Sequence, residues 1–115
     1  MQDDREIRLF ARVYDTAQAA ESAFTAAESD YADLSGVEVA FFRAFVPGTG
    51  WIVAAVGPDA SDGMLHGGTP VPLDPDIAAV LLRRFAVLRP PSGQPAVIRV
   101  RHRPGLPIQV GHEHN

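Results

Sequence analysis

Residues 37–56 read VEVAFFRAFVPGTGWIVAAV, two β-rich apolar runs on either side of Pro47-Gly48-Thr49-Gly50. Four turn-forming residues between two such runs predict a β-hairpin. Both runs are apolar at odd and even positions alike, apart from Glu38 and Arg43. A strand that is apolar on both faces needs cover on both sides of its sheet.

The flanking segments supply two helices and two further strands. Ile7, Leu9, Ala11 and Val13 alternate with Arg8, Phe10, Arg12 and Tyr14, the period of two expected of a strand. Asp15 and Thr16 then offer a helix cap. The apolar stripe Ala17, Ala20, Phe24, Ala27, Tyr31, Leu34 follows with helical spacing and closes at Ser35-Gly36. Asp74-Pro75-Asp76 opens a second helix, with Ile77, Leu81, Phe85 and Leu88 as its buried stripe and Pro90-Pro91 as its stop. Val97–Arg103 alternates again as a strand, and Ile108–Val110 suits a short edge strand. Residues 57–73, GPDASDGMLHGGTPVPL, exceed the usual length of a connection, which points to a functional loop or one ordered by packing. The order β-α-β-β-α-β predicts an α+β, ferredoxin-like βαββαβ fold: an antiparallel sheet with two helices on one face. In that topology the first strand lies between the third and the fourth.

The chain has 115 residues, 46% of them hydrophobic, no cysteine and a formal net charge of −4. This suits one globular domain over residues 1–115, with residues 1–6 and 111–115 expected to fray. Absence of cysteine excludes disulfides and thiolate metal or redox sites. No apolar run approaches the span of a bilayer, and the acidic start MQDDREIR is wrong for a signal peptide, so a soluble cytoplasmic protein is expected, with no membrane partner. Charge is uneven: through Asp62, eleven acids face four arginines, whereas from Gly63 onward six arginines face three acids. All ten basic residues are arginine.

The expected fold sets Arg8 and Arg12 beside Arg99, Arg101 and Arg103 on an open sheet face. Five guanidinium groups on neighbouring strands repel one another unless an anion answers them, so this ladder is a candidate site for a small anionic ligand. The plainer reading is that the arginine stems cover apolar sheet while the heads stay in water. Beneath two helices on one face, the other face of the hairpin stays exposed. Phe41, Phe45, Trp51 and Val53 are then interface candidates, for a homodimer first and a protein partner second. The long loop folding back would serve equally. An association module without evident chemistry is the leading functional reading, and the anion or small-ligand site is its alternative.

Leu9-Phe10-Ala11-Arg12-Val13 resembles the first-strand motif of the RNA-recognition fold, which stacks bases on aromatics of its first and third strands. The resemblance implies single-stranded nucleic-acid binding on the open face. Trp51–Val56 departs from the third-strand pattern, with one aromatic at its start, and the negative net charge also counts against nucleic acid. His66 is the best lone acid–base candidate, within reach of Asp59 or Asp62 in the loop. His112 and His114 are the weakest candidates, a metal-binding H-x-H near the end of the chain, more simply read as a solvated terminus. No cofactor is implied, because no phosphate loop or nucleophile elbow is present.

Overall fold

The computed structural model describes residues 6–31, 36–88 and, for the backbone, 97–101. The strands are β1 (Arg8–Tyr14), β2 (Val39–Val46), β3 (Gly50–Gly57), β4 (Thr69–Pro70) and β5 (Val97–Arg101), and the helices are α1 (Ala17–Tyr31) and α2 (Pro75–Leu88). A single 3₁₀ turn, Asp62–Met64, lies in the connection between β3 and β4.

Local chemistry accounts for each boundary. At the tip of the β2–β3 hairpin, Thr49 N–H donates to Val46 O at 2.9 Å and Gly48 has φ +85°. Proline then glycine at the centre is the signature of a type II turn, whose third residue needs positive φ. Thr16 caps α1, its Oγ1 accepting from Ala19 N–H at 3.0 Å. Asp74 caps α2, its carboxylate accepting from Asp76 N–H at 3.0 Å, with Pro75 at the first helical position.

The sheet order is β4-β1-β3-β2-β5. β3 lies antiparallel between β1 and β2, as a split βαβ requires, with Arg12 opposite Val53 and Arg43 opposite the same Val53. The last strand departs from the ferredoxin-like expectation. Instead of joining β1, β5 pairs parallel with β2, Ala40 opposite Ile98 and Arg43 opposite Arg101. The reason lies at the edge of β1. Thr69 and Pro70 already stand against Val13 and Arg12, and Val71 N–H donates to Ala11 O at 3.0 Å. That edge is taken, so the outer edge of β2 receives β5.

The helices also depart from expectation: they cover opposite faces of the sheet. Ala20, Ala23, Phe24 and Ala27 of α1 pack with Val39, Phe41, Val53 and Ala55 on one face, joined there by Ala60, Met64 and Leu65 of the loop. Ile77, Val80, Leu81 and Phe85 of α2 pack with Ala40, Phe42, Ala44, Ile52, Ala54 and Val56 on the other. The chain reaches that second face by passing around β1 through Val71 and Leu73, which pack against the same cluster. The two-sided hydrophobicity of residues 37–56 is thus satisfied within one chain. The apolar face that motivated a dimer is occupied by α1, which leaves Phe41 and Val53 fully buried, and α2 covers the opposite face. Burying Ile77, Leu81 and Phe85 contributes on the order of 1.5–3 kcal/mol each.

Because Phe24 and Phe85 sit in separate cores, Phe24→Leu and Phe85→Leu should each lower the unfolding free energy by roughly 1–2 kcal/mol. In urea denaturation the double variant should then equal the two losses to within about 0.5 kcal/mol. A coupling clearly larger than that would mean the two rings share one core.

Candidate functional site

The alternation of β1 sends Arg12 and Tyr14 to the α1 face, where both reach the loop between β3 and β4. Arg12 uses three nitrogens: Nε donates to Asp62 Oδ1 at 3.0 Å, Nη2 to Asp62 Oδ2 at 2.6 Å, and Nη1 to Gly67 O at 2.9 Å. Tyr14 Oη donates to His66 O at 2.8 Å. Gly68, at φ +70°, packs so closely on the Tyr14 ring that an added Cβ would lie 2.6 Å from Cε2. At the loop's start, Glu38 N–H donates to Asp59 Oδ2 at 2.7 Å, while Asp59 N–H donates to Glu38 O at 3.2 Å. Residues 57–68 therefore form a strap tied down at both ends.

The ties set the local electrostatics. Hydrogen bonding from Arg12 holds the Asp62 carboxyl below the usual carboxylate range, and the same bonds raise Arg12 further. Burial pushes the Tyr14 hydroxyl up, opposed by the charge of Arg12 and aided by that of Asp62.

Where the strap returns to β1, the ladder opens. In the register set by Arg12 opposite Pro70 and Val71 N–H bonded to Ala11 O, Leu73 would come opposite Leu9, yet no backbone hydrogen bond joins them. Pro70 and Pro72 occupy the outward positions of this segment, where a missing N–H costs no ladder bond and discourages further pairing. The parting strands leave a cleft of about 450 Å³ lined by Leu9, Phe10, Ala11, Asp62, Pro70, Val71, Pro72 and Leu73. Asp62 is its one ionised side chain. The guanidinium carbon of Arg8 lies 5.3 Å from the centre of the Phe10 ring.

The expected arginine ladder does not form. β1 and β5 are separated by β3 and β2, so Arg8 and Arg12 lie about 14 Å from the strand that carries Arg99 and Arg101. Arg12 is spent on Asp62 and Gly67. Instead, the register draws Arg12, Val53, Arg43 and Arg101 into one row across four strands. Arg43, which the alternation argument passed over because it interrupts an apolar run, is 7% exposed. Its Nε lies 2.9 Å from Glu21 Oε1 without the alignment of a hydrogen bond, and its guanidinium carbon is 5.5 Å from the Trp51 ring centre. Phe45 and Trp51 are half-buried and meet edge to face, ring centres 5.2 Å apart. His66 finds neither Asp59 nor Asp62. Its Nε2 lies 2.7 Å from Asp30 Oδ2 on α1, both side chains half exposed. Arg103, His112 and His114 lie outside the described residues. Among the described residues no cluster of three metal-ligating side chains occurs, and no helix is long and apolar enough to cross a membrane. No family model, curated protein or solved structure matches the chain.

Since Asp62 titrates lower in the folded protein than in the unfolded chain, its ion pair contributes fully above about pH 5 and is lost as the pH falls through the lowered value. The stability gap between the natural protein and Asp62→Asn should be flat from about pH 5 to 8 and narrow below about pH 4. Urea titrations at each pH measure it, and a gap that widens on acidification would refute the pairing. Gly68→Ala should lower the melting temperature by several degrees, since its backbone angle and the Tyr14 ring both oppose a Cβ.

Proposed function

We propose that this protein is a small binding module whose cleft at the β1 edge holds a compact, largely apolar and uncharged molecule bearing a hydrogen-bond donor. The observation that carries the reading is the cleft itself, about 450 Å³ with a mostly apolar lining and one carboxylate, that of Asp62, held in place. Small-molecule sites characteristically combine that size with a few placed polar groups. Each Asp62 oxygen accepts one hydrogen bond from Arg12 and keeps a lone pair for a hydroxyl or amide N–H. The charge of Asp62 is answered by Arg12, so the cleft favours a neutral donor over an ion of either sign. The strap arrives already ordered, which removes part of the entropic cost of closing around a ligand.

Self-association through the hairpin lacks comparable support, because α1 and α2 occupy both faces of β2 and β3. Single-stranded nucleic acid binding likewise has less support among the described residues, where Phe10 lines the cleft and Trp51 packs on Phe45.

A library of small hydroxylated and amide-bearing aromatic or alicyclic compounds, screened by amide-resonance shifts, tests the reading. Ligands should move Leu9, Ala11, Val71 and Leu73 together. Asp62→Asn should weaken a hydroxylated ligand about tenfold relative to its deoxy counterpart. Absence of ligands that move these four resonances would overturn the proposal.

A further inference from the structure

The odd-numbered residues of β1 make the rungs of its outer edge. Val13 stands opposite Thr69, and Val71 N–H donates to Ala11 O at 3.0 Å. Hydrogen-bonding positions alternate between the two edges of a strand, so the N–H and C=O of Leu9 turn to the same edge as those of Val13 and Ala11, while the bonds to β3 fall to the even residues. At Leu9 the ladder stops. Its due partner is Leu73, and among the described residues no backbone hydrogen bond meets Leu9 on that edge.

The open rung lies in the cleft, since Leu9, Ala11, Val71 and Leu73 all line it. A sheet edge with unpaired groups is a template for one more strand, whose backbone gives affinity and whose side chains give specificity. The pleat supplies both faces for such side chains. Leu9, Val71 and Leu73 pack with the α2-side cluster, whereas Phe10 packs with the α1-side cluster, the side on which Arg12 holds Asp62. A residue laid opposite Leu9 therefore sets its own side chain toward the apolar α2 side, and its neighbours turn toward Phe10 and Asp62. The intact Ala11–Val71 rung closes the cleft at one end, so a long strand cannot run through it.

We infer that the cleft takes a short, uncharged peptide in extended conformation, one residue of which exchanges both backbone hydrogen bonds with Leu9 while an adjoining N–H or hydroxyl donates to Asp62. The inference rests on the binding-module reading and adds the class of ligand to it. One peptide residue presents an N–H and a C=O on the same side at the spacing of a strand, which matches Leu9 group for group.

The probes are N-acetyl-leucine N-methylamide and its ester counterpart, in which oxygen replaces the leucine N–H. The two share one apolar shape and differ in a single donor, and the natural full-length chain is used throughout, so folding is not perturbed. Titrations followed by amide resonances should show the peptide moving Leu9, Ala11, Val71 and Leu73 together. At saturation it should slow hydrogen exchange of the Leu9 amide by at least about fivefold. The ester should bind about tenfold more weakly. Equal affinities for the two probes overturn the inference, as does unchanged exchange at Leu9. If hydroxylated compounds occupy the cleft and the peptide does not, the peptide assignment falls and the binding-module reading stands; if neither binds, both fall.

Discussion

The rest of the structure depends on one constraint: β2 and β3 are apolar on both faces and must be covered on both. Phe41, Val53 and Ala55 face one way, and Phe42, Ala44, Ile52 and Ala54 the other, all of them buried. Leaving either set in water would forfeit several kcal/mol of burial and expose a patch larger than monomers tolerate. A second copy could have provided that cover. The chain instead divides its two helices between the faces, α1 arriving by the ordinary crossover from β1 and α2 by a path around the sheet edge. The first face is wider than α1 alone can cover, which explains why Ala60, Met64 and Leu65 of the loop are drawn beneath it.

That path around the edge links fold to function. To carry α2 to the far face, the chain runs along β1 and leaves it again. The contact lasts for two bridged residues and one further hydrogen bond before Pro72 and Leu73 diverge. Arg12 and Tyr14 fix the incoming strap so firmly that the divergence happens at one place, and the cleft is the space it leaves. The same Arg12 side chain that secures the strap also orients the Asp62 carboxylate at the cleft wall. Structure and recognition share a residue here, which is why an arginine that looked available for a ligand in the sequence is already engaged in the fold.

The electrostatic pattern follows from the same topology. Acidic residues crowd the first half of the sequence and arginines the second, yet the described polar side-chain pairs are made across long separations: the ion pairs of Arg12 with Asp62 and Arg43 with Glu21, and the hydrogen bond between His66 and Asp30. Such pairs at partly exposed positions contribute modestly to stability. Their larger effect is positional. They tie the strap to β1 and α1, and they leave Arg43 with its charge answered but its hydrogen bonding incomplete.

Much of this was legible in the sequence because it depends on near neighbours. Alternation in residues 7–14, the Pro-Gly turn at 47–48 and the Asp74-Pro75 cap each involve groups a few positions apart, and each appears where its local chemistry places it. The need to cover residues 37–56 twice was legible too, being a property of side-chain period alone. Which element supplies the cover, and which edge receives β5, were not. Those outcomes turn on Thr69 and Pro70 taking the edge of β1, a long-range competition between pairings of similar local quality. The site inherits the same division. Residue types and their face along a strand follow from a period of two, so Arg12 and Arg43 point where alternation sends them. Whether an arginine meets a ligand, an aspartate or another arginine depends on which strands become neighbours, and only the assembled sheet decides that.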